Sequence, residues 1–247
     1  MLFIGIDLGT SAVKLLLMDE NGSIHKIVSK EYPLYLPQAG WAEQNPEDWF
    51  ARTMEGIKDI ISEYEKSQVR GISFGGQMHG LVALDENDQV IRPAILWNDG
   101  RSAAQTEYLN REIGKKALSK FTGNIAFAGF TAPKILWMRE NEPENFARIR
   151  KIMLPKDYLA YRLSGVFCTD YSDASGTLLL DVEHKCWSGE MLKICGITEE
   201  QLPGLYESWE PVGTLQPEAA AELGLPEDVK IIAGAGDNAA AAVGTGT

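Results

Sequence analysis

The 247-residue chain is 45% hydrophobic and 23% charged, the balance of an ordinary globular protein with a substantial core. Its 35 acidic against 23 basic residues give a formal net charge of −12, which repels phosphate backbones and argues against nucleic acid or an anionic membrane as partner. Cys168, Cys186 and Cys195 lack CxxC spacing, so neither a disulfide framework nor a zinc cluster is expected; no apolar run nears the ~20 residues of a membrane span, and "MLFIGIDLGT" lacks a basic leader region. A cytoplasmic protein is the expectation.

In chain order, "LFIGID", "AVKLLLMD" and "SIHKIVSKEY" read as three closely spaced strands, hence an antiparallel meander. "NPEDWFARTMEGIKDIISEYEK" opens as a helix with Asn45 as N-cap and Pro46 in the first turn, and Trp49, Ile57, Ile60 and Ile61 share a face. "VRGISFGGQ" is a further strand, and "LVALDENDQVIRPAILWND" reads as a hairpin around "DEND". From about residue 100 to 155 the pattern is mostly helical, followed by a helix in "KDYLAYRLSG", an extended pair in "FCTDYSDASGTLLLDVEHKCW" and a short helix in "EMLKICG". "EPVGTLQPEAAAELGLPEDVKIIAGAGDN" supplies a strand, a helix and a last strand. Strands first and then an alternation with helices predict a mixed sheet with helical cover, one compact domain, and a helical insertion between about 100 and 190.

Four stretches carry polar residues where strands end. In "IGIDLGTSAVK" a strand delivers Asp7, and Gly9, Thr10 and Ser11 form a turn ahead of Lys14. Glycine admits a phosphate close to the backbone, hydroxyls and N–H groups donate to it, lysine neutralises it, and an aspartate suits magnesium; equally, the turn could be only a hairpin. No Walker loop occurs in the chain. "GISFGGQMHG" places Gln77, Met78 and His79 at a strand end, facing either a crevice or the core, and "ILWNDGR" does the same for Trp97, Asn98, Asp99 and Arg101, with a helix cap and local ion pair as the plainer reading. "GAGDNA" formally fits a dinucleotide fingerprint through Gly234, Gly236 and Ala239, but too few residues follow for the second strand and acidic residue that fingerprint needs. What survives is Asp237 at the start of an alanine-rich helix, either a cap or a general base.

In this order, "IGIDLGTSAVK", "GWAEQNPEDWF", "GGQMHG", "RPAILWNDGR", "TGN", "GFTAPKILW", "LPKDYLAYRLSG", "DYSDASGT" and "GAGDNAAAAVGTG" resemble the N-terminal domain of the FGGY carbohydrate kinases, closest to the members acting on xylulose. Other actin-like ATPases share a loop like "GIDLGT" but not "GGQMHG". The resemblance implies an α/β, ribonuclease-H-like (actin-like ATPase) domain: a mixed five-stranded sheet with helices on both sides plus a helical insertion. It also implies transfer of phosphate from ATP, with Mg2+, to a small sugar, and admits a homodimer. Asp237 would then be the catalytic base. Gln77, Met78, His79 and Asn238, together with Trp97 and Asp99, would contact the sugar; Gly9, Thr10, Ser11 and Lys14 would hold phosphate; Asp7 would organise the metal. Family members are about twice this length, so residues 1–247 are expected to be the sugar-binding half, with the C-terminal nucleotide-binding domain absent from the chain.

Overall fold

A computed structural model describes residues 1–247. The meander forms as the alternation dictates: β1 (Leu2–Leu8), β2 (Ala12–Asp19) and β3 (Ile24–Glu31) pair antiparallel in sequence. Their alternate residues Ile4, Ile6, Leu8, Val13, Leu15 and Leu17 are all buried on one face. After the short β4 (Glu43–Gln44) comes α1 (Pro46–Ile60), whose first turn is capped by Asn45 accepting from the Glu47 N–H. Trp49, Ile57, Ile60 and Ile61 seal that buried face, and Gly56 brings the helix down onto β2, since a methyl there would stand 2.4 Å from Leu15. With α1 as crossover, β5 (Val69–Gly76) runs parallel to β1.

The hairpin expected around "DEND" forms only its turn. Asp85 accepts from the N–H groups of Asn87 and Gln89, but beyond isolated bridges at Leu84↔Val90 and Leu81↔Ile95 the arms part. β6 (Val82–Leu84) pairs with β8 (Lys151–Met153), and β7 (Ala94–Ile95) pairs with β4. Both arms are wholly buried, so each needs a partner on either side, which a two-stranded hairpin cannot supply. The helical stretch is real: α2 (Ala103–Tyr108), a π turn (Leu109–Gly114), α3 (Lys115–Thr122), α4 (Thr131–Asn141), α5 (Pro143–Arg148) and, beyond β8, α6 (Pro155–Ser164), which stops at left-handed Gly165.

The extended pair expected over "FCTDYSDASGTLLLDVEHKCW" is also corrected. β9 (Cys168–Asp170) ends where Asp170 accepts from the Ser172 N–H and starts the helical turn α7 (Tyr171–Ala174), leaving only β10 (Leu180–Asp181) and β11 (Cys186–Trp187) as a hairpin. With α8 (Gly189–Cys195), this insertion has its own core around Leu109, Leu118, Ile135, Leu136 and Met191.

The chain then returns to the main sheet through β12 (Gly204–Tyr206, paired with β9), β13 (Pro211–Thr214), α9 (Pro217–Leu223), β14 (Lys230–Ile232), β15 (Ala235–Gly236) and α10 (Asp237–Thr245). Strand order is β13-β14-β5-β1-β2-β3, with β15 also on β5. The mixed sheet therefore has the five expected lanes (β3, β2, β1, β5 and the interrupted β14/β15) plus β13 on its edge. Helices α1, α6 and α9 cover one face, and α10 lies over the strand tips on the other. No helix is long and apolar enough to cross a membrane.

The last lane breaks because Ala233 and Gly234 leave β5 to donate to Glu210 and Ser208 carbonyls. Gly234 has φ +77°, and a methyl there would lie 2.2 Å from the Phe74 carbonyl oxygen. Only glycine fits both demands. Gly234→Ala should lower stability by about 2 kcal/mol or more, seen by calorimetry as a melting temperature roughly 4–8 °C lower; an unchanged transition would refute this role.

Candidate functional site

The site lies at the tips of β1, β5 and β15, where the parallel register sets Asp7 beside Gly75 and Gly75 beside Ala235. Gly236, paired with Gly76, is followed at once by Asp237, the first residue of α10. The two carboxylates thus flank a strand end that carries no side chains. Between them opens a hollow of about 590 Å³, lined among others by Gly5, Asp7, Lys14, Ser73, Gly75 and Asp237. A smaller hollow of about 230 Å³ adjoins it, lined by Met78, His79, Trp97, Asp237 and Asn238. Asp237 belongs to both.

Asp237 is open to solvent, and its Oδ1 accepts 2.7 Å from the Asn238 N–H. Asp7 sits opposite, its carboxyl raised above its ordinary value by partial burial and by Asp237, against the pull of Lys14, its cross-strand neighbour. Two like charges facing one hollow with a single lysine leave room for a cation. No group of three or more His, Cys, Asp or Glu side chains forms a metal cage, and a carboxylate such as Asp7 is the kind of oxygen ligand that a largely hydrated magnesium takes.

The turn between β1 and β2 is held from below. The Thr10 carbonyl accepts from Gln44 Nε2 at 2.6 Å, the Gly9 carbonyl accepts from the Tyr32 hydroxyl, and the Gly9 N–H closes the turn onto Ala12. Gln44 Oε1 in turn accepts from Trp49 Nε1 and Gln77 Nε2. Gln77 is therefore buried beneath the turn and does not line the smaller hollow, where a sugar contact was expected of it. Asp99 is likewise closed off: it accepts from the Ala42 N–H at 2.6 Å and pairs with Arg101, whose guanidinium lies 3.7 Å over the Trp41 ring. The local ion pair of the plainer reading forms at Asp99, but the helix cap does not, since α2 starts at Ala103 behind Ser102 with no side-chain cap. Trp97 does reach the site, half-exposed in the lining of the smaller hollow, and donates from Nε1 to Thr10 Oγ1 at 3.1 Å, tying its loop to the β1–β2 turn. Ser11 and Lys14 are exposed beside the turn.

His79 faces Gly176, whose carbonyl accepts from Nδ1 at 2.8 Å. That bond fixes the proton on Nδ1 and leaves Nε2 free as an acceptor. Burial first, then nearby Lys134, push the imidazole down to about 4 against the Gly176 bond, so it is neutral at neutral pH. Gly176 is obligatory, because a methyl would meet the ring at 2.4 Å. Phe130 packs on the ring at 4.7 Å between centroids. Met78 lies under Gly236, and Asn238 Nδ2 approaches its sulfur at 3.9 Å. Phe130, Gly176 and Ser172, which accepts from the Gly236 N–H at 3.1 Å, were not singled out from sequence; their only signal was membership of "GFTAPKILW" and "DYSDASGT".

Comparison with known proteins places the chain in a family. The model of the "FGGY family of carbohydrate kinases, N-terminal domain" matches residues 2–244. A xylulose kinase of Bacillus subtilis (strain 168) is 47% identical over 245 residues, 98% of this chain and 49% of that protein. Among solved structures, a xyloylose kinase from Brucella ovis is 44% identical with a TM-score of 0.95 over 99% of this chain and 50% of its own. A gluconate kinase from Lactobacillus acidophilus is 31% identical, with a TM-score of 0.91 over 96% of this chain and 48% of its own. The chain spans about half the length of these relatives. On the match over nearly every residue and the site at its strand tips, the chain belongs to the FGGY family of carbohydrate kinases, as the family's N-terminal domain.

Proposed function

We propose that this chain is the sugar-binding half of an ATP-dependent kinase that converts D-xylulose to D-xylulose 5-phosphate. The observation that carries the reading is the place of Asp237, shared by one hollow that holds Asp7 and Lys14 and a second lined by Met78, His79, Trp97 and Asn238. A base that takes a sugar's proton while phosphate arrives must touch both ligands.

In this mechanism the sugar lies against Met78 and Trp97, with the free His79 Nε2 and the Asn238 amide positioning its hydroxyls. Gly9, Thr10 and Ser11 offer backbone and hydroxyl donors to phosphate, and Lys14 adds charge; Asp7 would hold magnesium, which draws charge off the phosphate oxygens when bound. Gln77 and Asp99 act from behind, fixing the turn and the Trp97 loop. Phosphoryl transfer has a loose transition state, so alignment of the hydroxyl matters more than its ionisation. A carboxylate is far too weak a base to deprotonate an alcohol beforehand. Asp237 orients the hydroxyl and receives its proton late, a role that typically contributes ~10²–10⁴-fold. The adenine pocket is assigned to a C-terminal domain outside these residues, whose closure would exclude water.

The likeness to a gluconate kinase raises an acidic sugar as the rival substrate. The sugar-side hollow argues against it: its lining has one carboxylate, a neutral imidazole and no cation of its own, a poor setting for a second carboxylate.

In the full-length protein, an ADP-release assay across ketoses, polyols and gluconate should give D-xylulose the highest kcat/KM; another sugar ahead by about tenfold or more would replace the substrate named here. Asp237→Asn should cut turnover by at least ~10²-fold with sugar affinity, read by calorimetry, within a few fold; substantial residual turnover would remove the base from Asp237. His79→Ala should raise the sugar KM roughly tenfold and leave the ATP KM alone, and a change confined to ATP would show that His79 has been put in the wrong hollow.

A further inference from the structure

α4 is buried along nearly its whole length, from Thr131 to Met138, and in the middle of that run stands Lys134, 0% exposed. A leucine or methionine would fill the same space without the cost of desolvating a charge. No carboxylate lies within ion-pair range of the ammonium. Burial brings Lys134 down to about 7, with Asp99 opposing and Arg101 reinforcing the shift. Its donors go to backbone instead: Nζ donates to the His79 carbonyl at 2.8 Å and also to the Gly129 carbonyl.

His79 is the reason this matters. Its φ is +69°, the left-handed region that a residue with a side chain enters only when its surroundings hold it there. Its carbonyl takes two donors from the first turn of α4, Lys134 Nζ and, at 3.1 Å, Thr131 Oγ1, while the Gly80 N–H closes back onto the Met78 carbonyl. That conformation delivers Met78 and His79 to the sugar-side hollow. The second carbonyl on Lys134, Gly129, belongs to the loop carrying Phe127 and Phe130, and a methyl at Gly129 would meet the Trp97 carbonyl at 2.6 Å. One buried nitrogen thus ties the loop that lines the hollow to a second loop packed behind its His79 and Trp97.

We propose that Lys134 is a positioning residue for sugar selection, holding His79 in its left-handed conformation and setting the spacing between the Met78–His79 and Phe127–Phe130 loops. The inference rests on the sugar-kinase reading for its kinetic consequence but not for its structural one. A lysine kept for packing alone would show its loss in stability. A lysine kept for this task shows it in the sugar.

The test is Lys134→Met in the full-length protein, with Thr131→Val removing the weaker donor while leaving the cation in place. Lys134→Met should raise the sugar KM roughly tenfold or more, keep the ATP KM within about twofold, and leave the melting temperature equal or higher; Thr131→Val should raise the sugar KM by about threefold. A crystal structure of Lys134→Met should show His79 out of the left-handed region, a result that does not depend on any activity. His79 still near φ +69° in that variant, or a sugar KM unchanged, or sugar and ATP KM rising together, would each overturn the proposal. A parent protein that phosphorylates no sugar would sink the kinase reading alone and leave the His79 backbone to decide this one. Should Lys134→Met not fold, Thr131→Val carries the same kinetic and backbone criteria.

Discussion

β5 passes between Asp7 on β1 and Asp237 beyond β15, and where it passes them its residues are Gly75 and Gly76. Any side chain at Gly75 would point into the space between the carboxylates, against Ala240 of α10, and one at Gly76 would meet Leu8 and Lys156 at 3.2–3.3 Å. Two parallel pairings therefore bring like charges to adjacent strand tips, and the absence of side chains keeps the gap open. A fold that does this must keep both carboxylates hydrated or matched by ligand charge. It cannot bury them, and the rest of the site is arranged around that requirement.

Directly beneath lies the opposite solution. Lys156 is wholly buried, with Asp157 at 2.7 Å, Asp170 at 2.9 Å and Asp173 at 3.8 Å. Burial works against its charge, yet the three aspartates outweigh it and hold the ammonium protonated. One cation cannot neutralise three carboxylates, and burial keeps Asp173, whose oxygens have no hydrogen-bond donor, well above the usual carboxylate range, with Asp237 adding to the effect. Asp170 takes the firmer contacts, from Lys156, Ser172 and Ser208, and Ser172 accepts from the Gly236 N–H. A continuous polar chain therefore runs from the buried lysine to the backbone just before Asp237. Such a network is a costly way to stabilise a fold, and a good way to fix the direction in which one chain end leaves.

Much of this was legible in sequence because it depends on local pattern. The meander, the Asn45 cap and the strand that ends at Asp237 follow from periodicity and capping residues. Asp7, Lys14, Met78, His79, Trp97, Asp237 and Asn238 were all placed at strand ends that the sheet then gathers. What failed to show were partners chosen in three dimensions. The turn at "DEND" is written locally, but the pairing of β6 with β8 is decided by which buried arm lacks a neighbour. Gln77 and Asp99 carry the polar groups of a binding site, and only the positions of Gln44 and Arg101 reveal that those groups are already satisfied.

Lys134 and Lys156 show why lysines were the hardest residues to read. Both sit in helical runs where a sequence reader assigns an exposed charge, and both are completely buried. Their local contexts, "APKIL" and "LPKDY", differ in the one respect that fixes their roles: Asp157 follows Lys156 and supplies its first counter-charge, whereas Lys134 has no adjacent acid in the chain and no ion pair, Asp99 acting on it only from beyond ion-pair range. The first lysine is locked in an ionic cluster and can only organise structure around itself. The second has carbonyls alone for company, and those carbonyls belong to the loops that shape the hollow beside Asp237. A buried charge without a counter-charge is tolerated where the geometry it enforces is worth more than the stability it removes, and in this fold that geometry is the left-handed turn at His79.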